Sequence, residues 1–293
     1  MARLSERLEK NVPGEFYVDR SCIDCDTCRR IAPEVFSEGE SFSYVHRQPA
    51  SEADRRRALM ALVACPTASI GTVSRISAAP AAGLFPEPIA GDVYFCGFTS
   101  EDSFGAWSYL VRRPAPAGNL LVDSPRAAAP LLSRLEAWGG VRLMFLTHRD
   151  DVADHEAFRR RFGCERVLHE QDMTPATRSV ERPLRGPDPV RLDDDLLAIP
   201  VPGHTRGHAV LLYRETYLFT GDHLAWSPER GRLYAFRDAC WYSWKEQIRS
   251  MERLLDHRFE WVLPGHGWRH HAASAAVMRS ELEDCIAWMR RKE

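Results

Sequence analysis

Four cysteines govern residues 1 to 75: Cys22, Cys25 and Cys28 in the pattern C-x2-C-x2-C, and a distant Cys65 followed by Pro66. Three thiolates at that spacing can point inward from one tight loop toward three corners of an iron–sulfur cube, and Cys65 supplies the fourth corner. The same group can staple a module that is too short to hold a core of its own. The run reads CIDCDTCRRIAP, and Ala32 stands where a two-cluster chain places a further Cys before Pro. One cluster is therefore expected, and the intact trio of proximal cysteines favours 4Fe-4S over a three-iron form. Four thiolates also suit zinc, but zinc modules usually pair two C-x2-C knuckles and the second is absent here.

The segment resembles the single-cluster bacterial ferredoxins over residues 14 to 73. The likeness lies in the cysteine loop, in APEVF after it, and in ACPTASI around Cys65. It implies a small α+β ferredoxin-like domain with Cys22, Cys25, Cys28 and Cys65 as cluster ligands. Residues 51 to 63, SEADRRRALMALV, begin with a Ser cap and carry apolar Ala58, Leu59, Leu62 and Val63, which predicts a short helix delivering Cys65.

Composition is that of an ordinary globular chain, with 44% hydrophobic and 27% charged residues, and 293 residues suit one large domain or two smaller ones. A net charge of −2 argues against nucleic acid, whose partners are strongly basic. No apolar run approaches the roughly 20 residues that cross a bilayer, and the polar start MARLSERLEK lacks the apolar core of a signal peptide. Cys96, Cys164, Cys240 and Cys285 are scattered without paired spacing and read as buried or idle thiols. Iron–sulfur ligation and free thiols together place the chain in the reducing cytoplasm. The partners expected are a small-molecule substrate and a redox protein, with no nucleic acid and no membrane.

Residues 76 to 92, ISAAPAAGLFPEPIAGD, are rich in Ala, Pro and Gly and read as a linker between residues 1–75 and a second domain, 93–293. There, short apolar runs alternate with helical stretches. Strands are predicted at 108–112, 119–122, 143–146, 166–168, 209–213, 217–220 and 261–263. Helices are predicted at 127–138, 155–162, 244–255 and 273–291. Mixed order of this kind predicts a layered α/β domain.

The second domain places His and Asp at three sets of strand exits: Thr147-His148-Arg149-Asp150-Asp151 with Asp154-His155; Gly203-His204-Thr205-Arg206-Gly207-His208 with Gly221-Asp222-His223; and Pro264-Gly265-His266-Gly267. Gly or Pro at the junctions lets the backbone turn sharply. Side chains at several strand exits converge at one sheet edge, and imidazole with carboxylate suits Zn, Fe or Mn. His208 reads equally as a hydrogen-bond partner of a ligand or as a packed side chain, and His223 as a plain strand-end residue. Trp226, Tyr234, Phe236, Trp241, Tyr242 and Trp244 read as core more than as a pocket wall. Lys245, His270 and His271 read as surface.

The order THxxxxADH, GHTRGH, TGDH, PGHG resembles the metallo-β-lactamase fold superfamily over residues 92 to 270. The resemblance implies an αββα sandwich with one or two divalent metal ions at one edge. By motif position His148 and His204 would bind a first metal, Asp154, His155 and His266 a second, and Asp222 would bridge them. The chain departs from the family motif H-x-H-x-D-H. Two extra residues separate His148 from Asp154 and the second His is missing, so Asp150 or Asp151 replaces it or nothing does. A carboxylate there is reminiscent of the flavodiiron branch and moves the balance from zinc toward iron or manganese. His148, His204 and Asp222 alone make the 2-His-1-carboxylate set of a mononuclear iron centre, as in the persulfide dioxygenase branch.

The resemblance implies first a metal-dependent hydrolase of an ester, thioester or phosphoester, with Asp222 fixing the metal and Asp150 or Asp151 as ligand or proton carrier. Hydrolysis moves no electrons, however. The fused cluster therefore keeps a second expectation open, an oxidoreductase whose non-haem iron is fed by the iron–sulfur group. A sensing or a purely structural cluster stands beside these.

Overall fold

The computed structural model describes residues 1–292. It divides into two compact units, Met1–Arg142 with Ala153–Gly163, and Leu143–Val152 with Cys164–Glu293.

The first unit begins with β1 (Phe16–Val18), α1 (Thr27–Ile31), the hairpin β2 (Phe36–Glu38) and β3 (Ser43–Val45), α2 (Glu52–Ala64) and β4 (Ile70–Thr72). β4 lies antiparallel to β1, with Tyr17 opposite Gly71. Phe16, Val18, Ile31, Phe36, Val45, Ala58, Ala61 and Ile70 are buried and form the small core. The Ser51 hydroxyl accepts from Asp54 N at 3.1 Å and caps α2, so the helix starts where the sequence signal places it. Cys65 is the first residue beyond its last turn.

The stretch 76–92 is itself structured. It holds one helical turn, α3 (Ala79–Ala82), and a strand, β5 (Glu87–Ala90), which pairs with β6 (Val93–Phe95). The meander continues through β7 (Tyr109–Val111) and β8 (Leu120–Val122), every pair antiparallel. α4 (Ala129–Ala137) and α5 (His155–Phe162) complete the unit. The cysteine module is fastened to the meander region of this same unit. Thr99 Oγ1 donates to Ala64 O at 2.6 Å, Thr27 Oγ1 to Gly105 O at 3.0 Å, and the Arg126 guanidinium to Val63 O at 3.2 Å. The Arg30 guanidinium lies 4.4 Å over Trp107, whose ring stacks on Phe95 at 3.8 Å.

The second unit opens with three parallel strands, β9 (Leu143–Phe145), β10 (Glu165–His169) and β11 (Arg182–Leu184). It continues with β12 (Val190–Asp193), β13 (Leu196–Pro200), β14 (Ala209–Tyr213), β15 (Tyr217–Gly221), the hairpin β16 (Ala225–Ser227) and β17 (Arg232–Tyr234), and α6 (Trp244–Leu254). β18 (Trp261–Pro264), β19 (His270–His271) and α7 (Ala275–Arg290) follow. A six-stranded sheet runs β12-β13-β14-β15-β18-β19. α6 and α7 bury Ile248, Met251, Leu254, Met278, Leu282 and Met289 with the sheet residues Val210, Leu212, Leu218 and Val262. Burial of this kind contributes about 25 cal/mol per Å² of apolar surface. No helix is long and apolar enough to cross a membrane among the described residues.

The register of this sheet gathers the chemistry. Pro200 pairs with Ala209, Leu211 with Phe219, and Gly221 with Pro264. The loop before β14, the exit of β15 and the exit of β18 therefore open at one end of the sheet, and they carry His204, Asp222 and His266.

Candidate metal centres

In the first unit, Cys22, Cys25, Cys28 and Cys65 line one cavity with Val18, Ile70 and Pro66. The loop reaches this shape through left-handed backbone at Asp24 (φ 58°) and Asp26 (φ 61°), a region that Asp tolerates better than most residues. Arg29 and Arg30 hold those two carboxylates at 2.5 and 2.7 Å. Asp24 N donates to Cys22 Sγ at 3.4 Å and Ser69 N to Cys65 Sγ at 3.3 Å, contacts that favour thiolate. Burial nevertheless pushes the Cys25 thiol up to about 11 and raises Cys22 and Cys28, so thiolates here need a cationic partner. Among the described residues no three of these sulfurs lie within 4.8 Å of one another. A single tetrahedral zinc with bonds of about 2.3 Å would draw its sulfurs to roughly 3.8 Å.

In the second unit, His148, His204, His208 and His223 are buried in ring contact: His148–His204 centroids lie 4.8 Å apart, His148–His208 4.7 Å and His208–His223 5.6 Å. Thr147 Oγ1 lies 2.9 Å from His148 Nδ1, which leaves His148 Nε2 to face the site. His148 Nε2 and both ring nitrogens of His204 have no hydrogen-bond partner among the described residues. Both Nε2 atoms face the same two carboxylate oxygens: Asp150 Oδ2 at 3.8 and 3.6 Å, and Asp222 Oδ2 at 3.8 Å from each. These spacings are too long for hydrogen bonds. A tetrahedral ion with bonds of about 2.1 Å sets its ligand atoms roughly 3.4 Å apart. The residues present therefore fit a metal ion.

Two overlapping groups have ligand atoms within 4.8 Å of one another, His148 with Asp150 and His204, and His148 with Asp151 and Asp222. Asp151 is buried, whereas the Asp150 side chain is 47% exposed. His266 Nδ1 lies 2.8 and 2.9 Å from the two Asp222 oxygens, and His266 N donates to Asp222 Oδ1 at 3.2 Å. Burial alone would raise Asp222, but His266, then His148 and His204, hold it well below the usual carboxylate range. Burial, with the neighbouring imidazoles, pushes His148 well below the ordinary histidine value.

Of the residues singled out in the sequence, the structure brings together His148, Asp150, Asp151, His204, Asp222 and His266. Asp154 and His155 belong to the other unit and to neither group. Asp154 Oδ2 accepts from Ala127 N at 2.7 Å, and His155 opens α5. His208 Nε2 lies 3.0 Å from Thr220 O, and His223 is buried. The aromatic stretch splits. Trp226 and Tyr234 pack against the core that contains Trp244, while Trp241 and Tyr242 are exposed and donate their backbone N–H groups to His204 O at 2.9 and 3.1 Å. Lys245 is exposed, and His270 packs flat on Trp226 and pairs with Glu281 at 2.7 Å. Sequence reasoning missed Thr147 and Asp172. Thr147 sits inside a motif, and Asp172 carries no sequence signal.

The family described as the 4Fe-4S single cluster domain of Ferredoxin I matches residues 18–72. No curated protein matches the chain in sequence. Among solved structures, the chain is similar to the BLEG-1 B3 metallo-β-lactamase, with 16% identity over 67% of this chain and 99% of that one and a TM-score of 0.52. It is similar to the DIM-1 metallo-β-lactamase exposed to ceftazidime, with 17% identity over 68% and 95% and a TM-score of 0.51. It is also similar to a metallo-β-lactamase from Pontibacter korlensis, with 18% identity over 67% and 97% and a TM-score of 0.50. At such identities the likeness shows the fold alone. Residues 18–72 thus resemble a 4Fe-4S single-cluster ferredoxin domain, and the chain has the metallo-β-lactamase fold.

Proposed function

We propose that the chain is a metal-dependent hydrolase of a small-molecule ester, thioester or phosphoester, with His148, His204 and Asp222 holding the metal. The observation that carries this reading is the pair of buried, unbonded Nε2 atoms facing the same two carboxylate oxygens at 3.6 to 3.8 Å. A metal bound there lowers the pKa of a water from about 15.7 to about 7 and polarises a carbonyl or phosphoryl oxygen. The chain's own groups do the rest. His266 holds Asp222 in place through both carboxylate oxygens. Asp150, on the solvent side, is placed to complete the ligand set or to accept the proton of the attacking water. Trp241, 63% exposed and with its ring 6.2 Å from that of His204, offers an apolar surface to the substrate.

A second reading is favoured by the ligand set itself. Two imidazoles with carboxylates match the 2-His-1-carboxylate pattern of non-haem iron. In that reading the chain is an oxidoreductase, and the 4Fe-4S domain exchanges electrons with the iron site or with a redox protein.

Two measurements on protein purified without oxygen separate the readings. Metal analysis should give about four iron and matching sulfide for the cluster. In the hydrolase, about one to two zinc per chain is expected besides. Iron clearly in excess of sulfide moves the reading to the oxidoreductase. Turnover of generic esters and phosphoesters should vanish in His204→Ala and persist in folded Cys25→Ala. A fully active His204→Ala variant sinks the site assignment.

A further inference from the structure

We propose that Asp172 is a positioning residue of the metal centre, its carboxylate binding together the two loops that present His148 and His204. The proposal rests on the metal-site reading above. Asp172 closes a 3-10 turn, Glu170–Asp172, directly after β10, and is 1% exposed. Its Oδ2 accepts from Arg149 N at 3.1 Å and from the Thr205 hydroxyl at 2.5 Å. Its Oδ1 accepts from Gly207 N at 2.7 Å. Arg149 directly follows His148, and Thr205 directly follows His204. One carboxylate thus fixes the chain immediately beyond each histidine, on both loops at once.

The surroundings are built for this contact. A Cβ on Gly207 would stand 2.5 Å from Asp172 N and 2.9 Å from its side chain, so the close approach requires glycine. Asp172 belongs to neither group of side chains able to share a metal, and its oxygens are taken by three donors. It therefore acts through the loops and not as a ligand. No Lys or Arg pairs with it among the described residues, and its three hydrogen-bond donors are neutral groups. Such a carboxylate is costly to the fold by itself. A cation gathered between His148 and His204 would offset that cost. The three donors also explain why an amide cannot substitute. Asn offers one acceptor oxygen and would turn its NH2 toward a group that is itself a donor.

The test is zinc binding by the full chain, purified without oxygen, in equilibrium dialysis at fixed free Zn2+ with metal analysis and circular dichroism. Outer groups that hold metal ligands typically account for 10–100-fold in affinity, and Asp172→Asn is expected to weaken zinc binding by about that factor. Thr205→Val, which removes one donor, should weaken it by roughly 3–10-fold, and Thr205→Ser, which restores the hydroxyl, should return it to within about twofold. A merely structural role would lower the melting temperature and leave the affinity of the folded fraction unchanged. Should Asp172→Asn fail to fold, the Thr205 pair decides. Affinity within about twofold of wild type in both folded Asp172→Asn and Thr205→Val overturns the proposal alone, against the 10–100-fold expectation. Wild-type affinity in His204→Ala overturns the metal-site reading and this proposal with it.

Discussion

Burial decides what the individual cysteines and histidines can do. Cys96 and Cys285 are buried, and that burial pushes both thiols up to about 12, so each stays protonated at neutral pH and unreactive. Cys240 is half-buried and gives its S–H to Gly203 O at 3.2 Å. With the cluster bound, iodoacetamide at pH 8 is expected to modify Cys240 slowly and to leave Cys96 and Cys285 untouched. Mass spectrometry of the alkylated peptides checks this, and labelled Cys96 or Cys285 in folded protein would contradict it. Thr147 is the second residue-scale test. Thr147→Val keeps the shape but removes the group 2.9 Å from His148 Nδ1, so zinc affinity should fall by about 10-fold. Single residues are legible where a side chain carries its own chemistry. His148, His204 and Asp222 stand out as candidate ligands by type and by position at a strand exit, and the structure brings their side chains to within 3.8 Å. Thr147 and Asp172 act only through what lies across from them in space, and no spacing along the chain encodes that.

At the scale of elements, the cysteine loop depends on one glycine. Gly105 sits at φ +81°, and a Cβ there would fall 2.7 Å from the Cβ and Sγ of Cys25. Gly105→Ala should therefore displace the loop and cost about 1–3 kcal/mol, with less iron and sulfide per chain. Full cluster content in that variant would contradict the contact. In the second unit, Arg166 is fully buried on β10 and gives its guanidinium to Glu181 at 3.0 and 3.1 Å and to Ser179 O at 2.8 Å. Arg166→Ala removes the buried guanidinium from this pair and should destabilise the fold by about 3–5 kcal/mol in a thermal melt. Helices were legible almost to the residue where a cap or a clear apolar face marks them, as at His155–Phe162 and at α2 behind Ser51. Strands were legible where an apolar run stands alone, as at Ala209–Tyr213. β5 was not, because Pro88 and Ala90 within it imitate a linker. β12 was not, because its alternation is interrupted by charge and by a register shift between Arg191 and Asp193.

For the whole molecule, motif order carried further than any single element. Four motifs placed along some 120 residues name a fold whose topology could not be built from strands of two to five residues, since their pairing is a property of the assembled sheet. What stayed hidden was how the cysteine module joins its surroundings, because Thr27, Thr99 and Arg126 fasten it through backbone carbonyls of Gly105, Ala64 and Val63. Backbone acceptors have no residue signature. These same bonds tie the state of the cluster to the state of the first unit. If oxygen strips the iron, Cys25 loses the anchor that holds it against Gly105, and the segment 99–107 loses its seat. Local opening of that kind is what a protease reads. Chymotrypsin should spare this segment under nitrogen and cut after Phe104 or Trp107 once the protein has met air, so the lifetime of each molecule would record the oxygen it has met.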